Sequence, residues 1–212
     1  MTQLNYTLKL IFNTLKKNKI VHSNSFVTVF FIASLTIVSL RIYFFFYLFR
    51  VIQERENEKV SLLEKLLKND TSDDLAQLLL ILEISMMMVV VASLLYLIFY
   101  LYISVVRELL LNDQTLKIKS MLGVSPIMLT IEFYGEFLFV VLFALLLAML
   151  IFNGIYTLIY AVSGSWVTQF LILPINFLIF YDFFYLLGIL ILLGLLFFFS
   201  YKKIRKNHYK TY

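Results

Sequence analysis

Four long apolar stretches, parted by short charged or turn-rich passages, set the pattern of this 212-residue chain. They run over 26–49, 76–104, 127–152 and 176–200, each long enough for the roughly 20 apolar residues that cross a bilayer as a helix. The passage ahead of the first has a different rhythm. Leu4, Leu8, Ile11, Phe12 and Leu15 recur at helical spacing against Lys9, Lys16, Lys17 and Lys19. That spacing predicts an amphipathic interfacial helix over 1–24; a basic tail that fixes orientation is the alternative. Residues 51–75 mix acids and bases and read as a short extracytoplasmic segment. Val60, Leu62, Leu63, Leu66 and Leu67 suggest a surface helix there, and Thr71 to Asp74 a capping box that opens the next helix. Residues 153–175 hold Gly154, Gly164, Trp166 and Pro174 without any charge, and predict an extracytoplasmic hairpin with Trp166 at headgroup level.

The one charged, punctuated passage between two apolar runs spans 107–136. Arg107 and Glu108 open it where the second run stops. Leu111, Ile118, Met121 and Leu122 follow at helical spacing, with Lys117, Lys119 and Ser120 off that face. Gly123 breaks the turn. Ser125-Pro126 then starts a new helix, because proline suits a first-turn position and disfavours helix in the residue before it. A short helix across the end of two spans is a surface that a soluble motor could grip.

Composition narrows the class. Of all residues 62% are hydrophobic and 15% charged, which suits a polytopic membrane protein rather than a soluble domain of this size. The net charge of +5 is spread over short segments beside the spans, not gathered on a nucleic-acid-binding face. Without cysteine there is no thiol chemistry, and His22 and His208 are too isolated to suggest a metal site. None of the six glycines is followed by lysine, so no phosphate-binding loop is present and ATP would be bound by another chain. No nucleophile motif accompanies the acids, so the chain reads as no enzyme. The first apolar run is too long for a signal peptide. Lys and Arg cluster before 26, over 107–125, and at Lys202, Lys203, Arg205, Lys206 and Lys210, which places both termini and the 107–125 segment in the cytoplasm.

Some charges fall inside the apolar runs. Arg41, Glu83 and Asp182 sit at similar depths, roughly 10–14 Å below the outer surface at 1.5 Å per residue. Buried charges seek partners, so Arg41 should pair with Glu83 or Asp182. Glu132 and Glu136 lie near the other end of the third run. Glu136 is expected to brace the turn against Arg107 or Lys119, with Glu132 facing the headgroups. Ala144 and Ala148 form a small-xxx-small pair suited to close helix contact, as between two copies of the chain.

The segment KIKSMLGVSPIMLTIEFYGEFLF resembles the part of FtsX-like and MacB-like ABC transporter permeases that follows their second span. Arg107, Glu108, Leu122, Gly123, Ser125 and Glu136 fall on matching positions. The resemblance covers topology over the whole chain and sequence over about thirty residues. It implies an all-α, four-span permease subunit of the bacterial cell membrane, N-in and C-in, working as a homodimer or heterodimer with a separate ABC ATPase. Leu111, Lys117, Ile118, Lys119 and Met121 would join the matched residues in coupling to that ATPase, which would bind ATP and Mg. The family carries a large extracytoplasmic domain between its first two spans, whereas here that place holds only 51–75. Export of a hydrophobic peptide or lipid-like substrate, as in antimicrobial peptide resistance, therefore fits better than functions of the outer domain. A non-transporting four-span protein, such as a bacteriocin immunity or assembly factor, is the alternative.

Overall fold

A computed structural model describes the backbone of residues 19–59 and 71–208, with side chains at 24–55 and 75–206. The amphipathic helix expected over 1–24 falls outside the described residues as far as 18, and the surface helix expected over 60–67 lies outside them entirely. So do the side chains of the capping box at 71–74.

The described chain is almost wholly helical, with no strand among the described residues. In order come α1 (Lys19–Lys59), α2 (Thr71–Leu111), the short α3 (Asp113–Met121), α4 (Pro126–Val162), two single turns α5 (Ser165–Thr168) and α6 (Pro174–Asn176), a π-helical turn (Phe177–Asp182) and α7 (Phe183–His208). Among these residues four helices are long and apolar enough to cross a membrane: Asn24–Arg55, Leu75–Leu111, Pro126–Val162 and Pro174–Lys206.

The helices outrun the apolar stretches that seeded them. At 1.5 Å per residue the 41 residues of α1 extend about 60 Å, twice the roughly 30 Å of hydrocarbon in a bilayer. Nothing in the sequence just past 49 breaks a helix, so backbone hydrogen bonding carries on after the greasy side chains stop. The third helix departs most from expectation. It passes 152 without a break, through Asn153 and Gly154, and ends at Val162. The expected hairpin shortens to the stretch after 162, which holds the single turns α5 and α6.

The chain forms two compact units, each using parts of all four long helices. The first takes the described parts of Met1–Phe31, Tyr96–Leu147 and Tyr185–Tyr212. Leu97, Leu101, Val105 and Leu109 of α2 bury a single stripe at intervals of four, while most of the helix around them stays exposed. Leu129, Tyr134, Val141 and Leu145 of α4 and Ile189, Leu193 and Leu196 of α7 complete the core. The fully buried Tyr134 hydroxyl donates to the Leu193 carbonyl at 2.7 Å, tying α4 to α7. Tyr134→Phe should lower stability by about 1 kcal/mol, the usual net worth of one such bond, measured by unfolding the solubilised protein.

The second unit comprises the described parts of Ile32–Leu95 and Ala148–Phe184. Its core is more polar. Ile32, Ile37 and Leu79 share it with Thr36, whose hydroxyl lies 3.0 Å from that of Ser93 on α2, and with Arg41 and Asp182. Phe170 fills the space against Phe49 edge-on at 4.7 Å, which anchors the chain between α5 and α6 onto α1.

Ala144 and Ala148 are both completely buried within this single chain. The expectation of a contact between two copies at these positions is corrected accordingly. Their small side chains admit neighbours from the same chain, leaving no surface for a second one.

Candidate functional site

Two constellations combine charge with a defined geometry. The first lies in the first unit, at the bend between α2 and α4. In the last turn of α2 the Glu108 carbonyl and carboxylate both accept from the Asn112 side chain, at 3.1 and 3.2 Å. The Asn112 backbone N–H also reaches that carbonyl, at 3.0 Å, so the side chain adds a second donor to the last turn of α2. α3 starts at the next residue, and Lys117 pairs with Asp113 one turn earlier at 2.5 Å.

The far end of α3 is built by Gly123. Its φ of +81° is the left-handed conformation, the Val124 N–H returns to the Lys119 carbonyl at 3.2 Å, and its own N–H returns to Ser120 at 3.0 Å. This double return is the Schellman stop, which glycine accepts without steric strain. A Cβ at Gly123 would meet nothing within 4 Å, so the demand is conformational alone. Gly123→Ala should therefore cost about 1–2 kcal/mol, the left-handed penalty for an L-residue, again read from unfolding of the solubilised protein. After the stop, Ser125 Oγ accepts from the Met128 N–H at 3.4 Å and α4 opens at Pro126.

Lys119 forms an ion pair with Glu132, joining α3 to the second turn of α4 across the glycine bend. Lys119, one of the two partners expected for Glu136, meets Glu132 instead, one turn nearer the bend. Glu136 lies half-buried on the same helix, and Arg107 is exposed at the end of α2. The bend thus holds α3 by both ends. Leu110, Leu111, Ile118, Met121 and Leu122 are all 60% or more exposed around it. Five large apolar side chains, two at the end of α2, two on α3 and one just past it, form a patch of the kind that marks an interaction surface.

The second constellation lies in the second unit. Arg41 pairs with Asp182 at 3.2 Å, donates to Asn153 Oδ1 at 2.5 Å, and donates to the Phe152 carbonyl at 3.2 Å. Its guanidinium carbon lies 4.5 Å from the Tyr156 ring centre and 4.8 Å from that of Phe177. Charge, hydrogen bonds and ring faces all serve a side chain that is 8% exposed. Of the two partners open to Arg41, Asp182 is the one found.

Glu83 is held instead by Arg50, whose Nε lies 2.8 Å from its carboxylate while Nη1 reaches Glu54 at 2.9 Å. Arg50 is overlooked by a reading from sequence that ends the first span at 49 and starts the next segment at 51. Asn153 was overlooked for the parallel reason, one residue past the assigned end of the third span. The signal available was a polar side chain directly beyond each apolar run with no helix breaker between. Among the described residues no group of His, Cys, Asp and Glu could hold a metal ion. Met87 and Met88 are exposed on α2 and contribute apolar surface there.

These features define a multi-pass, all-helical membrane protein. Compared with family models, with curated proteins and with solved structures, the chain matches none.

Proposed function

We propose that the chain is the permease subunit of an ABC transporter of the FtsX and MacB type, and that α3 is the element through which a separate ATPase acts on it. The observation that supports this most is the exposed apolar patch around α3, fixed to α4 by the Lys119–Glu132 pair. A helix that is pinned at both ends transmits displacement instead of absorbing it. A push on Ile118 or Leu122 from below would tilt α2 and α4, which continue directly from either side of α3.

The sequence supports the same division of labour. No phosphate-binding loop occurs in the chain, so nucleotide chemistry would belong to the partner, which would hold ATP and Mg. The expected setting is a bacterial cell membrane, with both termini and α3 in the cytoplasm and a second permease chain beside the first. The substrate would be a hydrophobic peptide or lipid-like compound, since only a short segment joins the first two spans.

Extraction in mild detergent and identification of the copurifying proteins tests this. The reading expects a soluble ATPase, whose hydrolysis changes when the permease is present. Recovery of the intact chain without any ATPase would favour a non-transporting four-span protein that binds a peptide within the bilayer.

A further inference from the structure

The turn Phe177–Asp182 is π-helical: the Phe183 N–H reaches the Leu178 carbonyl, five residues back instead of four. Such turns hold one residue more than an α-helical turn and concentrate at functional sites. Two residues of the turn, Phe177 and Asp182, are buried, while Leu178, Ile179 and Phe180 between them are exposed. In an α-helix residues five apart point about 140° away from each other. The wider π turn removes most of that divergence, and both buried side chains reach the same guanidinium. Asp182 meets Arg41 by charge and Phe177 meets it by its ring face.

We propose that this turn is a latch set by Arg41. The ion pair to Asp182 holds the extra residue in place, and loss of the pair lets the turn relax to α-helix. Relaxation has a defined consequence. The residue that shares a face with Asp182 in an α-helix is the one four earlier, so Leu178 would take the position that Phe177 now fills. Residues ahead of the turn would rotate by about 100°, one residue's worth of helix. Phe177 would then leave Tyr156 and Phe44, its present ring neighbours at 5.4 and 5.7 Å. The side chains that face Arg41 from the elements packed on it are Asn153, Tyr156, Phe177 and Asp182, and of its three guanidinium nitrogens Nε has no partner. The ion pair is accordingly the one charge compensation described for this cation, which makes it the point at which the latch opens. The latch is a property of the second unit and stands whether or not the chain is a permease.

A cysteine-free chain suits the test. Paired cysteines at 44 and 177, and separately at 44 and 178, are treated in native membranes with a short bifunctional thiol reagent that spans the room the two rings leave. With Asp182 present, the 44–177 pair should cross-link and the 44–178 pair should not. In Asp182→Asn the cross-link should shift from 177 to 178; its staying at 177 overturns the proposal. A second variant covers the case in which Asp182→Asn fails to assemble. Deleting Ile179 leaves Phe177 and the aspartate four residues apart, so a plain α-helix presents both to Arg41. That variant should assemble and keep the 44–177 cross-link, and adding Asp182→Asn to it should cause no shift. Loss of the 44–177 cross-link on deletion alone also overturns the latch.

Discussion

Replacing Arg41 by methionine should destabilise the protein by about 3–5 kcal/mol, the usual cost of leaving one member of a buried ion pair without its partner. Asp182 is 4% exposed, so water cannot take over from the lost guanidinium. The cost falls on more than the carboxylate. Asn153 Oδ1 loses its donor and Tyr156 and Phe177 lose the cation between their rings. The double variant Arg41→Met with Asp182→Leu should recover much of the loss, because neither charge is then buried. Exchange of the two (Arg41→Asp with Asp182→Arg) should recover less, since the short arm at 41 cannot reach Asn153 or the Phe152 carbonyl. Denaturant titration of the solubilised protein, read by tryptophan fluorescence from the lone Trp166, gives all three values. Equal stability of Arg41→Met and the parent would mean that the cluster contributes nothing.

If α3 docks an ATPase as proposed, converting Ile118 and Leu122 together to aspartate should remove at least about 30-fold of that affinity, taking one hot-spot contact at about 2 kcal/mol as the lower bound. Both side chains are exposed in the chain alone, at 60% and 76%, so the substitutions leave the fold's own packing intact. That separates a docking defect from an unfolding defect. Lys119→Met should act differently. It leaves the patch in place but frees α3 from Glu132, so the proposed ATPase should still bind while its hydrolysis no longer depends on this chain.

The four membrane-crossing helices were legible because hydrocarbon thickness imposes a minimum run of apolar side chains, and each run met it. Where a helix ends is set by other forces. α1 continues to Lys59 and α4 to Val162 because no proline, or glycine in the left-handed conformation, stops them. Gly123 and Pro126 show the converse: both boundaries could be read, since each residue imposes its backbone conformation locally. Partner choice among buried charges was legible only in part. Depth along the helix brought Arg41, Glu83 and Asp182 into one layer, yet pairing depends on rotation about each helix axis as well. The extra residue in the π turn changes that rotation within six residues, and nothing in Phe177–Asp182 announces it. Glu132 and Glu136 illustrate the same limit at shorter range. They lie one turn apart on one face, and the choice of Lys119 between them rests on where the Schellman stop leaves the end of α3. Ala144 and Ala148 marked a close helix approach correctly in kind, but spacing alone does not say whether the neighbour belongs to the same chain.

The sidedness of α3 is the most direct test of the account, because a cytoplasmic motor can use only a surface that faces the cytoplasm. Single cysteines at Ile118 and at Ser165, both exposed positions in a chain with no cysteine of its own, would be treated in intact cells with a membrane-impermeant maleimide. The account predicts that position 165 labels at once and that position 118 labels only after the membrane is permeabilised. Labelling of position 118 from outside intact cells would contradict it.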